Sequence, residues 1–310
     1  MKQLNVVVSL PGENRYLREQ AVVAESMAHR LGMRLRIINA ESDPVTQSQQ
    51  LLEIIQSPRD LVPDAIIVEP VTDTGLPRVA EAAVAAGVGW VISNARVDYI
   101  EGLRKRSRAP VFSVSQDHGD IGRMQSRQFA VLLPDGGTAL YLRGPASNSL
   151  ACQRADGLES ALPRNIHIKT LKIQWTEESA YQTVSSWLRL STVRAGDFHL
   201  ISSQNTDFIS AAKRAFQDHG QAADRSKWLS LPYTGAGVFS QTKPLVEQGE
   251  MVAAVVTALT VDQCLDMLHR AIESGLQPPE QTVVSAASYP SLEELTKRQA
   301  GKWAASLADK

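Results

Sequence analysis

The chain has 310 residues, of which 43% are hydrophobic and 21% charged, and its formal net charge is −1. That length exceeds one ordinary core and favours two domains, at roughly 100–200 residues each. The near-neutral balance excludes a global basic field for nucleic acid or anionic membrane, and no apolar run approaches the ~18 residues of a membrane span. From the N-terminus, "NVVVS" (5–9) is a continuous apolar run, as expected of a strand buried on both faces. A helix follows, with Leu17, Ala21, Ala24, Ala28 and Leu31 on one stripe and Gly32 ending it. "RLRIIN" (34–39) is the next predicted strand, after which Asp43 and Pro44 open a helix as N-cap and first residue. "AIIVEP" (65–70) and "GWVISN" (89–94) are strands separated by an alanine-rich helix over 77–86 that Gly87 closes. "PVFSVS" (110–115) is a further strand. The intervening "EGLRKRSRAP" (101–110) reads as a solvated basic loop, since no aromatic residues interleave its charges as a nucleic-acid contact would require.

The second half repeats the theme. Strands are predicted at "TALYLR" (138–143), "IHIKTLKI" (166–173), "FHLISS" (198–203) and "KWLSLP" (227–232), with helices at 148–162, 178–191 and 206–219. A strand "MVAAVVTAL" (251–259), a helix over 261–274 and a strand "TVVSA" (282–286) close the pattern. Strict alternation implies parallel sheets with right-handed crossovers. The surplus of strands and their unequal spacing favour two doubly wound α/β lobes over an eight-stranded barrel. The tail, "SLEELTKRQAGKWAASLADK" (291–310), has a serine N-cap, early glutamates and a lysine-containing end, and predicts a surface helix.

Catalytic signatures are absent: there is no Gly-x-Ser-x-Gly elbow, Walker loop or His-Glu-x-x-His. "TGAG" (234–237) reads as a plain turn, and the six histidines are scattered and read as structural. "SQDHGD" (115–120) gathers polar groups at a strand end, where carboxylates also serve as helix caps. Cys152 and Cys264 lack metal-ligand spacing and are expected as two buried free thiols. No catalytic residue, metal or cofactor is expected, nor a direct nucleic-acid partner or membrane insertion. "MKQLNVVVSLPGEN" lacks the plan of a secretory signal, so the expectation is a cytoplasmic protein as written, or a periplasmic one whose leader has been removed.

In open α/β sheets, ligands sit beyond the carboxyl ends of the strands. Those ends carry a consistent polar set. Asn14, Arg15 and Tyr16 follow the first strand, Glu69 the third, Asn94 and Arg96 the fourth, and Gln116 and Asp117 the fifth. The second half contributes Arg154, Trp175, Asn205 and Tyr233 or Thr234. Aromatic planes among hydrogen-bonding side chains suit a sugar or another small polyol. Arg154 is conspicuous because it falls inside the apolar arc of the helix "NSLACQRADGLESAL" (148–162), four residues from Leu150 and from Leu158. Spacing alone leaves two readings: a guanidinium facing a ligand, or one that pairs with a nearby carboxylate and snorkels at the helix edge.

These segments resemble the type I periplasmic binding proteins, specifically the ribose-type sugar-binding family shared with lactose-repressor-like effector domains. The likeness runs from about residue 4 to 289. "ENRYL" is similar to the family's asparagine and paired aromatics after the first strand, and "FSVSQDHGDIGRMQS" to its first crossing between lobes. "YLRGPASNSLACQRADGLESAL" resembles its strand, turn and helix carrying a ligand arginine, which aligns with Arg154; "SSQNTDFISAAKRAFQDHG" likewise places Asn205. Glu69 stands where many members have asparagine, Asn94 with Ala95 replaces an Asp-Arg pair, and "LPYTGAG" replaces an Asp-Gly loop. The resemblance implies two Rossmann-like lobes joined by a three-segment hinge, with crossings near 115–117, 257–261 and 286–290. One lobe would combine residues 1–115 and 260–287, the other 116–259 and 288–310. It also implies a solute-binding protein that closes two lobes around a small polar ligand for an ABC-type importer, with Arg154 facing that ligand. The alternative is a cytoplasmic ligand sensor without its own DNA-binding segment, acting on a signalling partner.

Overall fold

The computed structural model describes residues 3–72, 74–190, 192–219 and 222–308. The terminal pairs 1–2 and 309–310 of the expected lobes lie outside the described residues. The chain divides into two compact units, Met1–Gln116 with Leu259–Val284 and Asp117–Ala258 with Ser285–Lys310.

In chain order the first unit supplies β1 (Asn5–Leu10), α1 (Arg15–Arg30), β2 (Arg34–Asn39), α2 (Pro44–Ile55), β3 (Ala65–Val68), α3 (Pro77–Ala85), β4 (Gly89–Ser93), α4 (Ile100–Arg106) and β5 (Val111–Gln116). The second unit follows with α5 (His118–Leu132), β6 (Gly137–Arg143), α6 (Ser149–Ala161), β7 (Ile166–Lys172), α7 (Glu177–Leu188), β8 (Leu200–Ser203), α8 (Thr206–Gln217), α9 (Ala222–Ser230), β9 (Tyr233–Val238), α10 (Phe239–Glu247) and β10 (Ala253–Thr257). The chain then returns α11 (Val261–Ser274) and β11 (Gln281–Val284) to the first unit, and β12 (Ala287–Tyr289) and α12 (Leu292–Ala308) to the second.

The first sheet runs β11-β5-β4-β3-β1-β2 and is parallel throughout. Its central strands are apolar on both faces because helices cover both: α1 and α11 pack on the side of Val6, Val8 and Val91, and α2, α3 and α4 on the side of Ile66, Trp90 and Ile92. The second sheet runs β12-β10-β9-β8-β6-β7, with β12 antiparallel to β10 and the rest parallel. Here one face is dominated by aromatic packing, with Trp228 stacked on Phe216 at 4.8 Å and edge-on to Trp187.

Four predicted segments differ. "KWLSLP" is not a strand: its first half ends α9, where Trp228 is buried against Phe216, and β9 begins only at Tyr233. The glycines of "TGAG" are therefore strand residues and not a turn. A Cβ on Gly237 would lie 3.1 Å from Thr206 Oγ1, so the strand uses glycine where α8 presses on it. The basic stretch 101–110 is largely α4, with Arg104 donating to the Val111 carbonyl at 2.9 Å. Finally, the predicted strand 282–286 ends at Val284 as β11, and a separate strand, β12, follows it in the other sheet. The tail helix forms as expected, and the Ser291 hydroxyl accepts from the Glu294 amide at 3.2 Å. Among the described residues no helix is long and apolar enough to cross a membrane.

Candidate functional site

In the first unit, the carboxyl ends of β1, β3, β4 and β5 are neighbours, so polar residues leaving those strands converge on one edge. Asn14 caps α1 by accepting from the Leu17 amide at 2.9 Å. Arg15 is exposed, and the half-buried Tyr16 hydroxyl accepts from Gln20 at 2.9 Å. Gln20 itself is buried, accepts from the Val261 amide and donates to Thr260, which shares a 2.7 Å hydrogen bond with Ser93.

Glu69 leaves β3 and is buried. The loop after it is pinned by Gln47, which donates to the Glu69 carbonyl at 2.9 Å and accepts from the Val71 amide at 2.9 Å. Asn94 follows β4 in a left-handed backbone with φ 55°, a conformation asparagine tolerates better than most residues. Its side-chain amide donates to Glu69 at 2.8 Å and accepts from Gln116 at 3.1 Å. Gln116 is the last residue of β5 and falls in the first unit. Arg96, two residues beyond Asn94, is exposed.

In the second unit, α5 and α6 approach closely enough that a Cβ on Gly122 would fall 1.9 Å from the Arg154 carbonyl. On Gly157 it would fall 2.1 Å from the Gly119 carbonyl. This contact brings Arg154 to the start of α5, where Nε donates to His118 Nδ1 at 3.2 Å. Its Nη1 donates to the Gln204 carbonyl at 2.7 Å. Gln204, fully buried after β8, donates to the Ala151 carbonyl at 2.9 Å and accepts from the Gly144 amide at 3.0 Å. It thereby ties the exits of β6 and β8 to α6. Trp175 stacks on Phe208 at 5.7 Å and lies against Gly144, leaving it half-buried after β7. Asp117 and Asn205 are helix caps, accepting from the amides of Asp120 at 2.7 Å and Asp207 at 2.9 Å; Asp117 also pairs with Arg123 at 3.4 Å.

Tyr233 and Thr234 require correction. The helix α9 occupies the place of the expected strand, so they open β9 and do not follow a strand; they pair with Ile201 and Ser202 inside β8. Both are buried, the Tyr233 hydroxyl donates to the Trp228 carbonyl at 2.8 Å, and burial pushes its pKa above the ordinary phenol range. The two cysteines are free, Cys264 buried and Cys152 only half-buried. Among the described residues, no cluster of histidine, cysteine or carboxylate side chains could hold a metal ion. The strand-end rule picked single residues and missed Gln20, Gln47, His118 and Gln204, all polar and almost fully buried; glutamine flanking an apolar run is the signal that could have found Gln20 and Gln204.

This is the type I periplasmic binding protein fold, with polar groups gathered at the carboxyl edge of each doubly wound sheet. The model of the periplasmic binding protein domain family matches residues 6–276, and the chain belongs to that family, which binds ligands rather than catalysing a reaction on them. A curated Rhizobium meliloti protein named for rhizopine binding is 24% identical over 199 residues, 62% of this chain, and the chain spans 60% of that relative's length. The structure is similar to an ABC transporter periplasmic solute-binding protein from Actinobacillus succinogenes 130z with bound D-allose. The TM-score is 0.79 at 17% identity, covering 95% of this chain and 100% of that one. It is also similar to a solute-binding protein from Bacillus halodurans C-125 with bound myo-inositol, at TM-score 0.76 and 16% identity over 96% and 98% of the two chains.

Proposed function

We propose that the chain is the solute-binding component of an ABC-type importer and captures a small sugar or polyol. The observation that carries this is the same placement in both units. Polar and aromatic side chains collect at the carboxyl edge of each sheet: the buried Glu69, Asn94 and Gln116 in one, and the buried Gln204 with the half-buried Arg154 and Trp175 in the other. Amides, a carboxylate and a guanidinium supply directional partners for several hydroxyls, and an indole face suits the apolar face of a sugar ring. The D-allose and myo-inositol complexes of the two structural relatives, and their place in ABC transporters, support the same reading. On this reading affinity should depend on these residues of each unit.

The test is calorimetric titration with D-allose, myo-inositol and L-arabinose. The expected result is one site per chain with Kd in the micromolar range or tighter, about −8 kcal/mol or below. Gln116→Ala and Arg154→Ala should each weaken it. Binding that responds to substitutions in one unit alone would overturn the role assigned to the residues of the other. Uptake by vesicles carrying the cognate permease should require the chain; ligand binding without any effect on uptake would replace the importer role with sensing.

A further inference from the structure

The polar residues at the ends of β3, β4 and β5 form a hydrogen-bond chain with a fixed direction. Asn94 Nδ2 donates to Glu69 Oε1 at 2.8 Å, and Gln116 Nε2 donates to Asn94 Oδ1 at 3.1 Å. All three side chains are more than nine-tenths buried, with 7%, 4% and 5% exposure for Glu69, Asn94 and Gln116. Two adjacent amides alone have no preferred direction, since each can turn over and exchange donor for acceptor. Here Glu69 Oε1 is the acceptor, so Asn94 turns its NH2 to Glu69 and its carbonyl to Gln116. Gln116 must then spend its own NH2 inward. The chain ends on Gln116 Oε1, a buried acceptor to which no described residue donates. A buried acceptor of this kind calls for a donor, and at a strand end that donor can come from outside the chain.

Resting on the sugar or polyol reading above, we propose that Gln116 Oε1 accepts a hydrogen bond from a ligand hydroxyl, and that Glu69 sets this polarity through Asn94. Gln116 selects, while Glu69 and Asn94 are positioning residues. The ligand is then a polyol with a free hydroxyl where it meets Gln116, and an analogue that can only accept at that position is rejected. With an amide in place of Glu69 the chain could run in either direction and this preference would blur. The carboxylate at position 69 therefore acts on selectivity from two residues away.

The experiment takes the tightest binder among D-allose, myo-inositol and L-arabinose, with its complete set of monodeoxyfluoro analogues, in calorimetry at pH 7. Fluorine replaces a hydroxyl at similar size and cannot donate. With the unaltered protein, one position on the ring should lose about tenfold or more, the size of one hydrogen bond. Gln116→Met keeps the stem and removes the acceptor. It should weaken the parent by about tenfold and abolish the extra loss at that position, because the bond is already missing. Glu69→Gln keeps the shape and frees the direction, so the hydroxyl-to-fluorine ratio at that position should fall toward one. A purely structural role for Glu69 would lower the melting temperature and leave this ratio intact. An unchanged ratio in Glu69→Gln, or a full loss persisting in Gln116→Met, overturns the proposal while the sugar reading stands. If none of the three parent compounds binds, the sugar reading falls and the proposal with it.

Discussion

Arg154 shows how a single residue can be conspicuous in sequence while its partners stay hidden there. Its position inside the apolar arc of α6 was legible, and so was the need for a partner. Neither the histidine ring nor the Gln204 carbonyl that answers it could be read from spacing, because α5 and the end of β8 reach it only through the fold. Because both partners lie in the second unit, Arg154 also holds its own unit together. Arg154→Ala should lower stability by about 1–3 kcal/mol, the range for losing hydrogen bonds to a charged group. Arg154→Met, which restores the stem but no donor, should not recover it; recovery in thermal melting would show that packing carries the effect. A second residue-scale expectation concerns the thiols. Burial pushes the Cys264 thiol well above the ordinary range, whereas Cys152 is half-buried at the start of α6. A thiol-disulfide reagent at pH 8 should titrate one thiol in the native protein and two in denaturant. Two reactive native thiols would contradict the burial of Cys264.

At the scale of elements, most strands and helices were legible because apolar runs of the right length alternate with amphipathic stripes and end in recognisable caps. Asp43 and Asn148 both cap as expected, accepting from amides of α2 and α6. The failures share a cause. Trp228 and Leu229 look strand-like locally but are claimed by helix packing, and glycine-rich β9 looks turn-like because its usefulness lies in what it lets approach. The pairing of α5 with α6 is the same kind of fact. Gly119, Gly122 and Gly157 lie at a backbone-to-backbone contact, and that contact is what carries Arg154 to His118. Gly122→Ala should therefore cost about 1–3 kcal/mol or more, because an overpacked contact must open. Gly102, on the exposed face of α4 with nothing nearer than 4.0 Å to an added Cβ, is the control. Gly102→Ala should stabilise by up to about 1 kcal/mol through helix propensity alone. Melting curves that move the same way for both would refute the close-contact account.

At the scale of the molecule, alternation predicted two doubly wound lobes, while only the family resemblance implied that residues after 259 would return to the first. Its two cores draw only on its own residues, and one of them needs Val261, Cys264, Leu265 and Leu268 from α11. These arrive after the whole of the second unit's first segment. Fully burying four such side chains is worth about 1.5–3 kcal/mol each, so α11 supplies stabilisation comparable to the ~5–15 kcal/mol of an entire domain. We therefore propose that the first unit is an independent folding unit only when both its segments are present. Thr260 bonds to Ser93 at the end of β4, and β4 neighbours β5, which ends at Gln116. A short glycine–serine linker from Gln116 to Leu259 can therefore span the gap and make the unit continuous. That linked chain, 1–116 joined to 259–284, should melt cooperatively and protect the amides of β1, β3 and β4 from hydrogen exchange. Residues 1–116 alone should do neither, since the α11 face of the sheet would lie open. Leu268→Ala in the linked chain should cost about 2–5 kcal/mol, as for a core leucine. A folded 1–116 fragment, or an unfolded linked chain, would each refute the division. The first would make α11 dispensable, and the second would make the second unit a required scaffold for the first.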